Sequence, residues 1–207
     1  MILLMKHLGE LLMPRSLHRP MERKPPKLAV VLVDMNYPKD DIKPLRGTTE
    51  ESISRHCKLL ETARRLSIPI VLMEDAHVVL STYKEIKAAA GQGVTHLMKW
   101  EYSAFKTELF LDFLDRTKAN TLVLIGYEMN ICLRGTADDA LRLGYGLMTS
   151  PELLLYRTLG KYGTPEMVKN GAAFYRKETD HYRTTEKLLS AMERIVGNGT
   201  ACAPATN

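Results

Sequence analysis

Residues 120–150, NTLVLIGYEMNICLRGTADDALRLGYGLMTS, decide the fold. Thr121 to Ile125 is a short continuous apolar run, the mark of a strand covered on both faces. Gly126 opens a turn, and a helix begins near Cys132 with its body over Ala137 to Leu143. Gly144 closes that helix, and YGLMTS resumes as a strand. A strand, a helix and a further strand in this order imply a right-handed βαβ unit and a parallel sheet. At the strand-to-helix junction backbone N–H groups point outward unpaired. Their partial positive charge favours a thiolate at Cys132.

The same grammar extends upstream. LAVVLVD (28–34) is a Val-rich buried strand, and MNYPKDDIKPLRG carries the Pro, Asp and Gly of a loop. Thr48 or Thr49, followed by Glu50 and Glu51, opens a helix of about Glu51 to Leu66. IPIVLMED (68–75) is the next strand. The stretch from Ala76 to His96 is less regular, with a short helix around Tyr83 to Ala90, and Phe105 to Thr117 has helical apolar spacing. Downstream, AAFYR (172–176) reads as a strand and DHYRTTEKLLSAMERIV as a terminal helix. The expected fold is α/β: a three-layer αβα sandwich with a Rossmann-like, mostly parallel six-stranded sheet. One domain spans 28–196, between a basic, flexible extension (1–27) and a disordered tail (197–207). In such folds ligands bind at the carboxyl ends of the strands. Asp34, Asp75 and the Gly126–Cys132 turn all stand there.

The 207 residues suit one domain, and 45% apolar with 26% charged residues is an ordinary globular composition. Six basic side chains lie in residues 1–27 against Glu10 and Glu22, so +4 of the formal +5 belongs to that segment. The folded part is therefore close to neutral, which speaks against nucleic acid as a partner. MILLMKHLGELLM is too short and too charged for a membrane span or a secretion signal. The three cysteines have no paired spacing, so the chain reads as cytoplasmic, with reduced thiols.

Three segments together resemble the cysteine-hydrolase branch of the isochorismatase-like superfamily, which includes nicotinamidases and N-carbamoyl amide hydrolases. They are Asp34 in LVDMNY, Lys99 in KWEYSAF, and GYEMNICLRGTADDALRLGY. In the last, Gly stands six residues before the cysteine, Thr four after and Ala eight after. The resemblance implies a catalytic set of Asp34, Lys99 and Cys132, with Cys132 as nucleophile and Asp34 as general base and then acid. Lys99 would stabilise the thiolate and hold Asp34 ionised, lowering both pKa values. It also implies an oxyanion hole from the backbone N–H groups of Glu128 and Cys132, with a cis Tyr127–Glu128 bond.

The implied function is hydrolysis of a linear C–N amide or ureido bond of a small molecule through a thioester. The reaction would need no cofactor and no metal, no membrane is involved, and the family habit is a homodimer or homotetramer. Asn36, Tyr37, Trp100 and Phe105 are candidate pocket residues, although Phe105 suits a core position better. Each of the three catalytic candidates has an ordinary reading too: Asp34 capping a turn, Lys99 solvated, Cys132 packed. Asp75 and His77 in EDAH have the spacing of half a metal site, and His96 is the nearest third candidate. The alternatives are a nicotinamidase with a metal, or a non-catalytic binding protein on the same fold. Vinyl-ether hydrolysis, as in isochorismatases, is disfavoured because it uses no cysteine nucleophile.

Overall fold

The Val-rich run that opens the domain is the sheet's inner strand. In the computed structural model, which describes residues 25–158 and 160–200, β1 (Leu28–Val33) is buried at every position. It pairs in parallel with β3 (Ile70–Asp75) on one side and β5 (Thr121–Gly126) on the other. A strand flanked on both edges and covered on both faces has no polar face to show, so its sequence is apolar throughout. With β4 (Thr95–Lys99), β6 (Gly146–Thr149) and β8 (Asp180–His181) the sheet runs β4-β3-β1-β5-β6-β8, six strands, all parallel. A second, antiparallel pair joins β2 (Ile42–Pro44) to β7 (Leu155–Arg157).

Helices cover both faces. On one, α1 (Thr49–Arg65), α2 (Lys84–Ala90) and α6 (Thr185–Thr200) pack against Val30, Leu32, Leu72 and Val123. On the other, α3 (Glu108–Thr117) and α4 (Cys132–Arg142) pack against Val31, Val33, Met73 and Leu124, and α5 (Pro165–Glu178) adds Tyr175. Alternate residues of β1 feed the two cores. The start of α1 is set by a capping box: Thr48 accepts from the Glu51 N–H, and the Glu51 carboxylate takes the Thr48 N–H in return.

Three elements differ from expectation. Thr95–Lys99 is a strand, not irregular chain; it is the sheet edge, with His96 and Met98 exposed, and it lacks the apolar run of an inner strand. Residues 172–176 lie in α5 rather than in a strand. Thr164 caps that helix, Pro165 starts it, and its buried contacts recur at Gly171 and Tyr175, a helical spacing. The last helix reaches Thr200, past the boundary expected at 196. Most of the basic extension (1–24) and residues 201–207 lie outside the described residues. Among the described residues no helix is long and apolar enough to cross a membrane.

Candidate active site

The carboxyl ends of β1, β4 and β5 bring three distant residues together. Asp34 follows β1, with its N–H donated to the Met73 carbonyl at 2.8 Å and its backbone in the left-handed region at φ 53°. That conformation is uncommon for a residue other than glycine and is kept where the surrounding structure holds it. Lys99 ends β4 and reaches across β3, placing Nζ 2.8 Å from Asp34 Oδ2. Cys132 is the first residue of α4, close enough to the carboxylate for each to act on the other's ionisation. The three are 0%, 1% and 6% exposed. Lys99 stands at Oδ2, and among the described residues no donor meets Oδ1, so that oxygen has accepting capacity to spare.

Burial decides the electrostatics. Asp34 is pushed up to about 6 by desolvation, with Lys99 and the Cys132 thiol pulling it only part of the way back. Burial also raises the Cys132 thiol well above its usual range, and the charge of Asp34 adds to this while Lys99 opposes it. For Lys99 burial is the largest single influence and acts downward, but Asp34, Cys132 and Asp75 together outweigh it, so the ammonium is held above its ordinary value. The expected lowering of Asp34 and Cys132 by Lys99 and the helix end is thus reversed: dehydrating a carboxylate and a thiolate together costs more than one ammonium restores. The resting pair is a thiol beside a carboxylate whose proton affinity is near neutral.

Close packing around Cys132 explains the spacing of the motif. Gly126 has φ 114°, and a Cβ there would stand 2.2 Å from the Val33 carbonyl oxygen, so only glycine fits. The Thr136 hydroxyl accepts the Ala104 N–H at 3.1 Å, tying the SAF segment to α4. The Tyr127–Glu128 peptide bond is cis. The Glu128 carbonyl takes the N–H groups of Ile131 and Leu133, and among the described residues no acceptor takes the N–H of Glu128 or of Cys132.

Several contributors were invisible in the sequence. The buried Glu128 carboxylate accepts the Asn130 N–H at 3.0 Å and the Arg157 N–H at 2.9 Å, which fixes the turn against β7. Tyr175 donates to the Met129 carbonyl at 3.0 Å. The Arg157 Nε donates to the Tyr127 hydroxyl at 3.0 Å, and its guanidinium lies 5.8 Å from the Tyr37 ring centre. Apart from the bond from Asn130, these are pairings across 29 or more residues, and no local pattern marks them.

The four pocket candidates divide. Tyr37 is half-buried beside the triad, with its ring 4.6 Å from that of Tyr127. Trp100 is exposed at the rim. Asn36 is buried and spends its amide on the Asp75 and Leu80 carbonyls, anchoring the loop after β3. Phe105 is core, with its ring 5.1 Å from Phe110 and 5.5 Å from Tyr145.

Asp75 and His77 do not fit half of a metal site. Both Asp75 oxygens are occupied, Oδ1 by His77 and Oδ2 by the Tyr37 hydroxyl. His96 is turned to Glu74, with Nε2 2.9 Å from Oε1. Among the described residues no three His, Cys, Asp or Glu side chains are grouped to hold a metal ion. A surface cavity of about 340 Å³ lies at the other end of the strands, beside Ile70, Val94 and Thr95, away from this chemistry.

The family model for the Isochorismatase domain matches residues 29–150. No curated protein matches the chain. Solved structures share the fold at low identity. The MAR1 ribonuclease of Caenorhabditis elegans superposes with a TM-score of 0.67 at 17% identity, over 89% of this chain and 98% of that one. The N-carbamoylsarcosine amidase of Thermoplasma acidophilum gives 0.59 at 24%, over 76% and 96%. The nicotinamidase of Staphylococcus aureus gives 0.62 at 17%, over 76% and 99%.

Proposed function

The chain belongs to the isochorismatase family, and on that premise we propose that it is a cysteine hydrolase of small amides or ureides. The observation that carries the reading is the buried meeting of Asp34, Lys99 and Cys132, with Lys99 Nζ 2.8 Å from Asp34 Oδ2. A structural ion pair has no need of a nucleophile at its open side.

In the proposed cycle Cys132 attacks the carbonyl carbon as its proton passes to Asp34, so no free thiolate has to persist in the buried site. The oxyanion is received by the free N–H groups of Glu128 and Cys132, donors worth a few kcal/mol each in such sites. Asp34 returns the proton to the departing nitrogen, the C–N bond breaks and a thioester remains. Asp34 then takes a proton from water, the hydroxyl attacks, the C–S bond breaks, and the proton goes back to sulfur. Lys99 keeps its charge throughout and steadies the carboxylate. Acid-quenched intact-protein mass spectrometry during turnover of N-carbamoylglycine, nicotinamide and simple aliphatic amides tests this reading. An acyl or carbamoyl adduct on Cys132 supports it, and ammonia release with Cys132 never modified removes it.

Because Asp34 must be ionised to accept the thiol proton, kcat/KM should rise as pH passes about 6 and level off above it. No loss follows on the alkaline side until Lys99, held above its ordinary value, gives up its proton. An acid limb near 4, where an unburied Asp titrates, would show that Asp34 is not the base.

Arg157 bears on the substrate. The carboxylate that acts on its charge is Glu128, whose two oxygens are already held by backbone N–H groups, and among the described residues no acceptor takes the outer guanidinium nitrogens. We propose that they receive an anionic group next to the scissile amide. Arg157→Gln is then expected to lower kcat/KM for N-carbamoylglycine by about 10- to 100-fold, the worth of a charge-assisted hydrogen bond. The neutral methyl ester of the same substrate should be little affected, and equal losses on both would assign Arg157 a structural task.

A further inference from the structure

Asp75 and His77 are the part of the sequence pattern that the proposed mechanism leaves unused, and their contacts give them a different task. Asp75 ends β3 opposite Lys99, and the Ala76 N–H donates to the Lys99 carbonyl at 2.9 Å, so the residues after the two strands run side by side. One carboxylate oxygen, Oδ2, accepts the Tyr37 hydroxyl at 2.7 Å. The other, Oδ1, lies 2.9 Å from both the backbone N and the ring Nδ1 of His77. Since the acceptor is a carboxylate, Nδ1 carries the hydrogen. The fixed imidazole in turn meets Trp100 edge to face, with ring centres 5.3 Å apart at 85°.

The two ends of this chain of contacts touch the active site. Tyr37 packs on Tyr127, the residue before the oxyanion turn, and feels the charges of Asp34 and Cys132. Trp100 directly follows the catalytic lysine. It is 70% exposed, and an indole left that open gains little from burial, so the half-buried Asp75 carboxylate is spent on orienting a ring that water can reach. We propose that Asp75 is a positioning residue of the active site. With one oxygen it aims Tyr37 and with the other it braces His77 against Trp100, so the Asp-x-His pair is an aromatic bracket instead of a ligand pair. The bracket gives the site two oriented aromatic walls, suited to a planar group attached to the amide.

Asp75 also acts on the reacting groups at a distance. Its charge opposes ionisation of Asp34 and favours that of Lys99. Facing it are Tyr37 after β1, His77 on its own loop and Lys99 on β4. Removing the charge while keeping the shape should therefore lower the proton affinity of Asp34.

This inference rests on the triad for one of its two readouts only. Trp100 is the sole tryptophan of the chain, so time-resolved fluorescence anisotropy of the full-length protein reads its ring alone. His77→Ala and Asp75→Ala should each release a fast local wobble, and the double variant should release no more than either. Asp75→Asn, which preserves shape if the alanine variant fails to fold, should move the acid limb of iodoacetamide capture at Cys132 downward by about half a pH unit. A side chain that only supported the fold would shift Tm and leave that limb in place. Unchanged anisotropy in both single variants overturns the bracket. So does stoichiometric Zn²⁺ or Fe²⁺ retained by the wild type after dialysis and lost in Asp75→Asn, which would return the pair to metal binding. If ammonia is released during turnover with Cys132 never acylated or carbamoylated, the triad reading fails, and the anisotropy still decides the bracket.

Discussion

Cys132→Ala is expected to lower kcat by a factor of about 10⁴ to 10⁶, the usual consequence of removing a covalent nucleophile whose partners act as a unit with it. The fold should scarcely notice. The thiol is held in its neutral form, so the change removes one sulfur atom from a packed cluster and strands no charge. A loss of about 1 kcal/mol or less is in keeping with so small a deletion, a Tm change of about 2–4 °C for a domain of this size. The decisive measurement pairs ammonia release with thermal unfolding on the same preparation. Turnover that persists in a folded Cys132→Ala protein would end the cysteine-hydrolase reading.

Lys99→Met should instead damage both fold and activity. It keeps the length and the apolar stem but removes the counter-charge of a carboxylate with no access to water. Breaking a buried pair by deleting one partner costs about 3–5 kcal/mol, because the remaining ion is left uncompensated. Asp34 can escape this cost by taking up a proton, and that sets the pH dependence. Its folded-state pKa, already about 6, must climb further above the 3.8 of the unfolded chain. A carboxyl with a raised folded pKa contributes stability below its unfolded pKa and loses it as pH rises through the folded one. The variant should therefore be closest to the wild type near pH 4 and fall furthest behind at pH 8, in chemical denaturation at both. Adding Asp34→Asn should recover part of the loss at pH 8. If the single and double variants are equally unstable there, the ion pair is not what the lysine supplies.

Much of this was readable from residues in order. LAVVLVD and TLVLIG announced themselves because an inner parallel strand has no polar face, and α1 because Thr48 and Glu51 cap it reciprocally. Asp34 and Cys132 stood out because they follow two legible strands, where such a sheet gathers its ligands; Lys99 came only from the family resemblance, because the strand it ends was not read. The misreadings share a cause. Thr95–Lys99 is an edge and 165–178 a helix buried on a narrow stripe, so neither has the apolar density that marks a covered element. The electrostatics were misjudged because a sequence displays charges but not the water around them: Lys99 looked dominant until the depth of Asp34 was known. Arg157, Tyr175 and the Glu128 side chain stayed hidden because each works through a partner far along the chain.

The Glu128 carboxylate has a consequence for anyone who would re-engineer the protein. Its two oxygens join the turn before α4 to β7 through main-chain N–H groups. The joint is indifferent to the side chains it holds, but not to their backbone. Side chains at 130 and 157 can thus be exchanged without breaking those two bonds, whereas proline at either position, or a graft that shifts the register of β7, would leave a buried acceptor without its donor. The boundary between what can be redesigned and what must be kept runs through those two amides.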